Sequence, residues 1–132
     1  MIKAYTGIAQ SKKLAEILSH KTADNTYERV VISGCNLGIP EEKQYVHRNI
    51  PFTYFSGVGV PCWSLAALIE QIPSDLGSST LTIEKDDSES LKYGLNYHDR
   101  WGREDDIQTK YYDNLVDACV AMIEKLHEQN IL

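Results

Sequence analysis

The chain has 132 residues, a size that fits one domain with its own hydrophobic core, and we expect residues 1–132 to form a single domain. Its hydrophobic content of 42% and charged content of 24% are ordinary for a globular protein. The net charge of −6 repels long nucleic acid and anionic membranes. A small anionic ligand would therefore need a local basic pocket.

Neither membrane nor secretion signals are apparent. No stretch approaches the roughly 20 apolar residues that a membrane helix needs, and the N-terminal residues lack the apolar run of a signal peptide. The three cysteines, an odd number, show no metal or redox spacing; they are Cys35, Cys62 and Cys119. We therefore expect free thiols and a reducing, intracellular compartment.

The N-terminal part of the chain predicts one helix and one strand. Residues 8–19 carry a thin apolar stripe at helical spacing, formed by Ala9, Leu14, Ile17 and Leu18. Residues 27–33 contain the β-branched run Val30-Val31-Ile32, which favours a strand.

Residues 34–59 form the least regular part of the chain. Within it, residues 45–50 and 52–55 are each candidates for a short strand. Structureless loops of this length are uncommon in a compact domain. The segment is therefore either partly strand or a mobile arm that binds something.

A short buried helix is predicted over residues 61–73. Its apolar positions follow the i, i+3, i+4, i+7 spacing of one helix face, with Leu65, Leu68, Ile69 and Ile72. Pro61 and Pro73 bracket it, and the hydroxyl of Ser64 can cap its N-terminus. Trp63 is expected to be a core anchor beside it.

The rest of the chain predicts a hairpin and a long helix. Residues 80–85 and 91–98 alternate polar and apolar side chains around a polar turn, as antiparallel strands do, and residues 107–112 are a candidate edge strand. The last helix, capped by Asp113, has an apolar stripe of Leu115, Val116, Cys119, Met122, Ile123 and Leu126. These elements predict an α+β fold, an antiparallel sheet of about four strands with three helices packed mainly on one face.

The segment Tyr97-His98-Asp99-Arg100-Trp101-Gly102-Arg103 is the strongest candidate for a binding site. Guanidinium groups can hold phosphate, and an aromatic face can stack on a base. Residues 45–49 repeat the same mixture of side chains. The expected ligand-binding residues are therefore Arg100, Trp101 and Arg103, with His98, His47 and Arg48 as partners. The alternative is a loop whose tryptophan folds onto the core while the arginines balance Glu104, Asp105 and Asp106.

Other sequence patterns give weaker evidence for a function. Gly57-Val58-Gly59-Val60-Pro61-Cys62 begins like a dinucleotide-binding fingerprint, but Cys62 stands at the third glycine position, which favours a flexible lead into the central helix. The four histidines are dispersed, and no nucleophile lies in a recognisable catalytic motif. We expect no catalytic residue, no metal site and no cofactor.

Three segments of the chain together resemble a group of small uncharacterised proteins encoded by phages and prophages of gut bacteria of the Bacteroides type. They are Gln10-Ser11-Lys12-Lys13-Leu14-Ala15-Glu16-Ile17-Leu18, Pro61-Cys62-Trp63-Ser64-Leu65-Ala66-Ala67-Leu68 and the last helix from Asp113 to His127. No activity or site is known for the group, so no residue role carries over. The resemblance implies a small viral accessory protein in the cytoplasm of a bacterial host cell.

These observations lead to three functional hypotheses. The first is non-catalytic binding of a small anionic, nucleotide-like ligand by a phage protein that sequesters an immune signal, with a homo-oligomer as a further expectation. The second is a protein–protein inhibitor of a host defence effector. The third is an enzyme that degrades a nucleotide signal.

Overall fold

The computed structural model of the chain describes residues 3–31, 36–86, 91–99, 101 and 107–132. These residues form an α+β fold with three α-helices, α1 (Ile8–Leu14), α2 (Leu65–Gln71) and α3 (Leu115–Glu128). The strands are β1 (Asn25–Arg29), β2 (Tyr45–Arg48), β3 (Gly59–Cys62), β4 (Asp75–Leu76), β5 (Ser79–Asp86) and β6 (Lys92–Asp99). They build two three-stranded antiparallel sheets.

The first sheet has the strand order β2-β1-β3, so β1 is its central strand. Tyr27 on β1 lies opposite His47 on one side and Val60 on the other. Beyond β3, the chain near Thr6 continues the pairing, with the Thr6 amide donating to the Trp63 carbonyl at 2.9 Å. The N-terminal segment is thereby held beside the start of α2.

The second sheet has the order β4-β5-β6 and contains the predicted hairpin. Its register runs from Ser79 opposite Asp99 to Asp86 opposite Lys92. Residues 107–112 follow the other edge of β6 through two bridges, Tyr93 to Tyr112 and Asn96 to Gln108. The candidate edge strand is thus present as two isolated bridges rather than as a continuous strand.

The helices connect the two sheets through a shared core. Helix α3 packs against α2 and β6, while α1 packs against β3 and α3. Trp63 is fully buried, as predicted, and its indole Nε1 donates to Thr22 Oγ1 at 2.8 Å. The core also contains Leu14, Leu68, Leu95, Tyr97, Val116, Met122, Ile123 and Leu126.

The single sheet of about four strands is not what the described residues form. Strands that precede α2 in sequence make one sheet, and strands that follow α2 make the other. The α+β class and the three helices are confirmed. The helices contact strands of both sheets, so they are not confined to one face of a single sheet.

Several element boundaries differ from the sequence-based prediction. Helix α1 ends at Leu14, and Ala9 is exposed rather than part of the stripe. The sequence placed a strand at 27–33, but β1 ends at Arg29 and Val31 is 67% exposed. The Val30 amide still donates to the Gln44 carbonyl in register with the β1–β2 pairing, and residues 32 and 33 lie outside the described residues.

Further differences concern the loop and the helix ends. Residues 52–54 form a 3₁₀ turn after Pro51 rather than a strand, since the φ of −54° at this proline already suits a tight turn. Pro61 belongs to β3, and α2 begins after its N-cap Ser64, whose hydroxyl accepts from the Ala67 amide. The N-cap of α3 is Asn114 rather than Asp113, and its side chain accepts from the Asp117 amide at 2.8 Å.

Two of the three cysteines lie in the described part of the chain. Cys62 and Cys119 are free thiols with no exposed surface. Burial raises the pKa of both thiols, that of Cys119 to about 12. Cys35 lies outside the described residues. Within those residues, we also find no helix with the length and apolar character needed to span a membrane.

Candidate ligand site

The second sheet has one apolar face on the core and one polar face. Antiparallel pairing places directly opposed residues on the same face, so Asn96 shares its face with Thr82, and His98 with Thr80. Residues 108 and 111 extend this face beyond β6. We call the following set the polar face: Thr80, Thr82, Glu84, Asn96, His98, Gln108 and Tyr111.

Tyr111 and Glu84 span one end of the polar face. The Tyr111 hydroxyl donates to Glu84 Oε2 at 2.5 Å, and the ring lies against Gly94, where an added Cβ would meet ring carbons at 3.4 Å. A glycine at position 94 thus lets the ring approach the strand closely. Hydrogen bonds from Tyr111 and then from Asn96 hold the pKa of the Glu84 carboxyl below its usual range.

Asn96 occupies the centre of the polar face and is 7% exposed. Its Nδ2 donates to Glu84 Oε1 at 3.3 Å. Its Oδ1 is buried and has no hydrogen-bond partner among the residues that the structure describes. Because buried polar atoms are nearly always paired, this oxygen marks a place where a hydrogen-bond donor is missing.

The end of β6 carries two of the predicted site residues. His98 is an exposed member of the polar face, and Trp101 is 74% exposed. Asp99 Oδ1 accepts from the Trp101 amide at 2.9 Å and from Ser78 Oγ at 3.1 Å, which ties this backbone to the turn before β5. The alternative prediction, in which the tryptophan folds onto the core, is inconsistent with this exposure.

The other two described candidates lie on β2, in the first sheet. The imidazole of His47 stacks on the ring of Tyr5 and contacts Asn25 Oδ1 through Nε2 at 2.9 Å. Burial lowers the pKa of His47. Arg48 donates from Nε to Glu28 Oε1 at 2.9 Å. Both side chains therefore already have partners within the protein.

The four described site candidates divide between two parts of the fold. His98 lies on β6 of the second sheet and Trp101 lies two residues after that strand ends, while His47 and Arg48 belong to the first sheet. Arg100 and Arg103 lie outside the described residues. Their assignment to one ligand site stays a prediction.

Two surface hollows lie elsewhere on the described residues. One, of about 260 Å³, is lined by Lys3, Leu65, Leu91, Tyr93 and the first residues around α3. The other, of about 230 Å³, lies between residues 109–112 and α3. The ammonium group of Lys3 is occupied by Asp117 Oδ1 and Gln10 Oε1, each at 2.8 Å. Neither hollow is lined by His98 or Trp101.

The glycine pair that resembles a phosphate loop has a structural explanation. Gly57 has a φ of +143°, which side chains rarely adopt. At Gly59, an added Cβ would lie 2.7 Å from the Tyr27 carbonyl oxygen of the paired strand. Close approach of two strands therefore accounts for Gly59, and residues 59–62 form the paired strand β3 rather than the expected flexible lead into α2.

Sequence reasoning missed Glu84, Asn96 and Tyr111. The alternation that placed Leu91, Tyr93, Leu95 and Tyr97 on the core also implied that residues 94, 96 and 98 share the opposite face. That pattern could have grouped Asn96 with His98. Nothing in it showed that Asn96 would be buried there or that Tyr111 would cross β6.

The chain matches no family model, and neither a curated protein nor a solved structure is significantly similar to it. In the described part of the chain, no group of three or more histidine, cysteine, aspartate or glutamate residues could hold a metal ion. A function must therefore be argued from the residues themselves.

Proposed function

We propose that this protein binds a small anionic, nucleotide-like ligand at the end of β6 and sequesters it without catalysis. The supporting observation is the position of Trp101, whose side chain is 74% exposed although it is one of the largest apolar groups in the chain. An exposed aromatic face of this kind suits stacking on a base, and each stacked base contributes about 1–3 kcal/mol.

The surroundings of Trp101 fit the same ligand class. His98 lies on the polar face three residues before Trp101 along the chain and carries an imidazole. In sequence, Arg100 and Arg103 flank Trp101 and supply the positive charge that a phosphate needs against a net charge of −6. The base would stack while the guanidinium groups neutralise the phosphate.

The biological setting of this proposal rests on the resemblance to phage-encoded proteins. A phage protein that binds a nucleotide without cleaving it can lower the concentration of a host immune signal. We therefore propose an anti-defence sponge in the bacterial cytoplasm. Recovery of intact ligand after heat denaturation of the complex would support sequestration, whereas recovery of a cleaved product would favour an enzyme.

Charge reversal tests the location of the site. The double variant Arg100→Glu with Arg103→Glu should fold, as judged by circular dichroism, and should lose affinity for a nucleotide that the wild type binds. Lys21→Glu with Lys43→Glu makes the same change in net charge at two exposed lysines and serves as the control. If the two double variants lose the same affinity, the effect comes from net charge rather than from the site.

The protein-inhibitor hypothesis is supported by a different surface. Several apolar side chains of the first-sheet region are exposed, among them Leu37 at 90%, Tyr54 at 82% and Val58 at 69%. Exposed apolar side chains are typical of protein contacts where they form a contiguous patch. If calorimetry with a nucleotide panel gives no binding to the wild type, protein inhibition replaces the sponge as the proposed function.

A further inference from the structure

The polar face contains a hydrogen-bond acceptor that nothing in the described protein satisfies. Asn96 is 7% exposed, and its Oδ1 is buried without a partner among the described residues. An unpaired acceptor that has lost its water destabilises the protein unless a donor arrives. The position therefore suits a group that enters from outside the chain.

The orientation of the Asn96 side chain determines which kind of group is missing. Its Nδ2 donates to Glu84 Oε1 at 3.3 Å, so the amide nitrogen is held by a carboxylate and the oxygen faces the other way. The second carboxylate oxygen of Glu84 is held by the Tyr111 hydroxyl. The missing partner is thus an N–H or O–H donor.

We propose that Asn96 Oδ1 accepts a hydrogen bond from the exocyclic amino group of a nucleotide base. This inference rests on the proposed function and assigns the base to the polar face. His98 lies two residues further along β6 on the same face, a distance of roughly 7 Å. A base over Asn96 therefore leaves the sugar and phosphate to extend toward His98 and Trp101.

Because Asn96 Oδ1 is buried, a base can reach it only if a neighbouring side chain of the polar face moves aside. The ligand's amino group then donates a hydrogen bond to Asn96 Oδ1, an oxygen that is already shielded from water.

The test compares nucleotides that differ only in the exocyclic amino group. Adenosine monophosphate is paired with purine riboside monophosphate, and guanosine monophosphate with inosine monophosphate, in calorimetric titrations of the full chain. The wild type should bind the amino-bearing member of at least one pair about tenfold or more tightly, because the analogue leaves Asn96 Oδ1 unpaired.

Variants identify Asn96 as the source of that preference. Asn96→Leu, which has the same number and branching of side-chain heavy atoms as asparagine, should abolish the preference. Gln129→Leu makes the same type of change at the exposed end of α3 and should leave the preference intact.

The outcomes separate this inference from the proposed function. Equal affinity within both pairs, or a preference that survives in Asn96→Leu, overturns the role of Asn96 while nucleotide binding stands. Absence of binding by every nucleotide overturns the proposed function and this inference together. The comparison within the wild type does not depend on any variant folding.

Discussion

The imidazole of His47 lies parallel to the ring of Tyr5, with the two ring centroids 3.8 Å apart and the planes within 2° of each other. Tyr27 packs edge-on against both rings, and Asn25 Oδ1 contacts His47 Nε2 at 2.9 Å. This contact joins the N-terminal segment to the edge strand β2. It also places a titratable group in a partly dehydrated site.

Protonation of His47 should destabilise the fold. Because burial lowers its pKa, the unfolded chain binds the proton at a higher pH than the folded chain does. The free energy of unfolding contributed by His47 is therefore fully present above the unfolded pKa of about 6.5 and decreases as the pH falls below it. Urea unfolding between about pH 5 and pH 8 measures this dependence.

His47→Gln removes the titration and should flatten this part of the stability profile. His127→Gln, at an exposed histidine near the end of α3, is the control for the loss of an imidazole. A slope in His47→Gln equal to that of the wild type would assign the pH dependence to other groups.

A side chain at position 59 should separate β1 from β3. The Cβ of Gly59→Ala would lie 2.7 Å from the Tyr27 carbonyl oxygen, so a strand must shift. We expect a loss of about 1–3 kcal/mol in unfolding free energy. Gly7→Ala is the control, because the nearest atom to its added Cβ is a side-chain oxygen at 3.7 Å. Equal stability of the two variants would refute this account of Gly59.

Leu68 in the middle of α2 and Leu115 at the start of α3 should differ in their contribution to stability. Leu68 is fully buried, whereas Leu115, which the sequence placed on the apolar stripe of the last helix, is only partly buried. Leu68→Ala should cost about 2–5 kcal/mol. Leu115→Ala should cost less, since part of its side chain already contacts water. Chemical denaturation that ranks them in the opposite order would contradict the assigned burial.

The sequence predicts an element correctly where the spacing of its apolar residues matches the face that the fold buries. The alternation in β6 and the stripe of α3 identified a strand of the hairpin and a helix because Leu95 and Tyr97 of β6 and the apolar stripe of α3 pack in the core. Of the run Val30-Val31-Ile32, Val30 and Val31 lie beyond the end of β1 and Val31 is exposed, since strand propensity alone does not set where a strand ends. Likewise Ile69, placed on the buried stripe of α2, is 36% exposed.

In the candidate site, too, some residues could be predicted from the sequence and others depend on tertiary packing. His98 and Trp101 could be chosen from the sequence because their side chains can bind nucleotides and they are close in the chain. Glu84 and Tyr111 join them only through cross-strand contacts of residues far apart in sequence. The unpaired oxygen of Asn96 depends on how the neighbouring side chains are arranged, which no periodicity encodes.

Reducing agents should not change the melting temperature, because Cys62 and Cys119 are free thiols. Both are fully buried with raised pKa values, so neither supplies a reactive thiolate in the folded state. A thiol-specific reagent should therefore modify at most one cysteine rapidly in the native protein and the other two only on unfolding. Rapid native modification of two or three thiols would contradict their burial.

The central claim, that a nucleotide binds beside Trp101, is tested most directly by calorimetric titration of the wild type and of Trp101→Ala with mononucleotides and cyclic nucleotides. Trp101 is 74% exposed, so its removal should leave the unfolding temperature unchanged. We predict that at least one nucleotide binds the wild type and that its affinity falls about 5- to 150-fold in the variant, as expected for a lost stacking contact. Saturable binding of the same affinity in both proteins, or no binding to the wild type by any nucleotide, would contradict the claim.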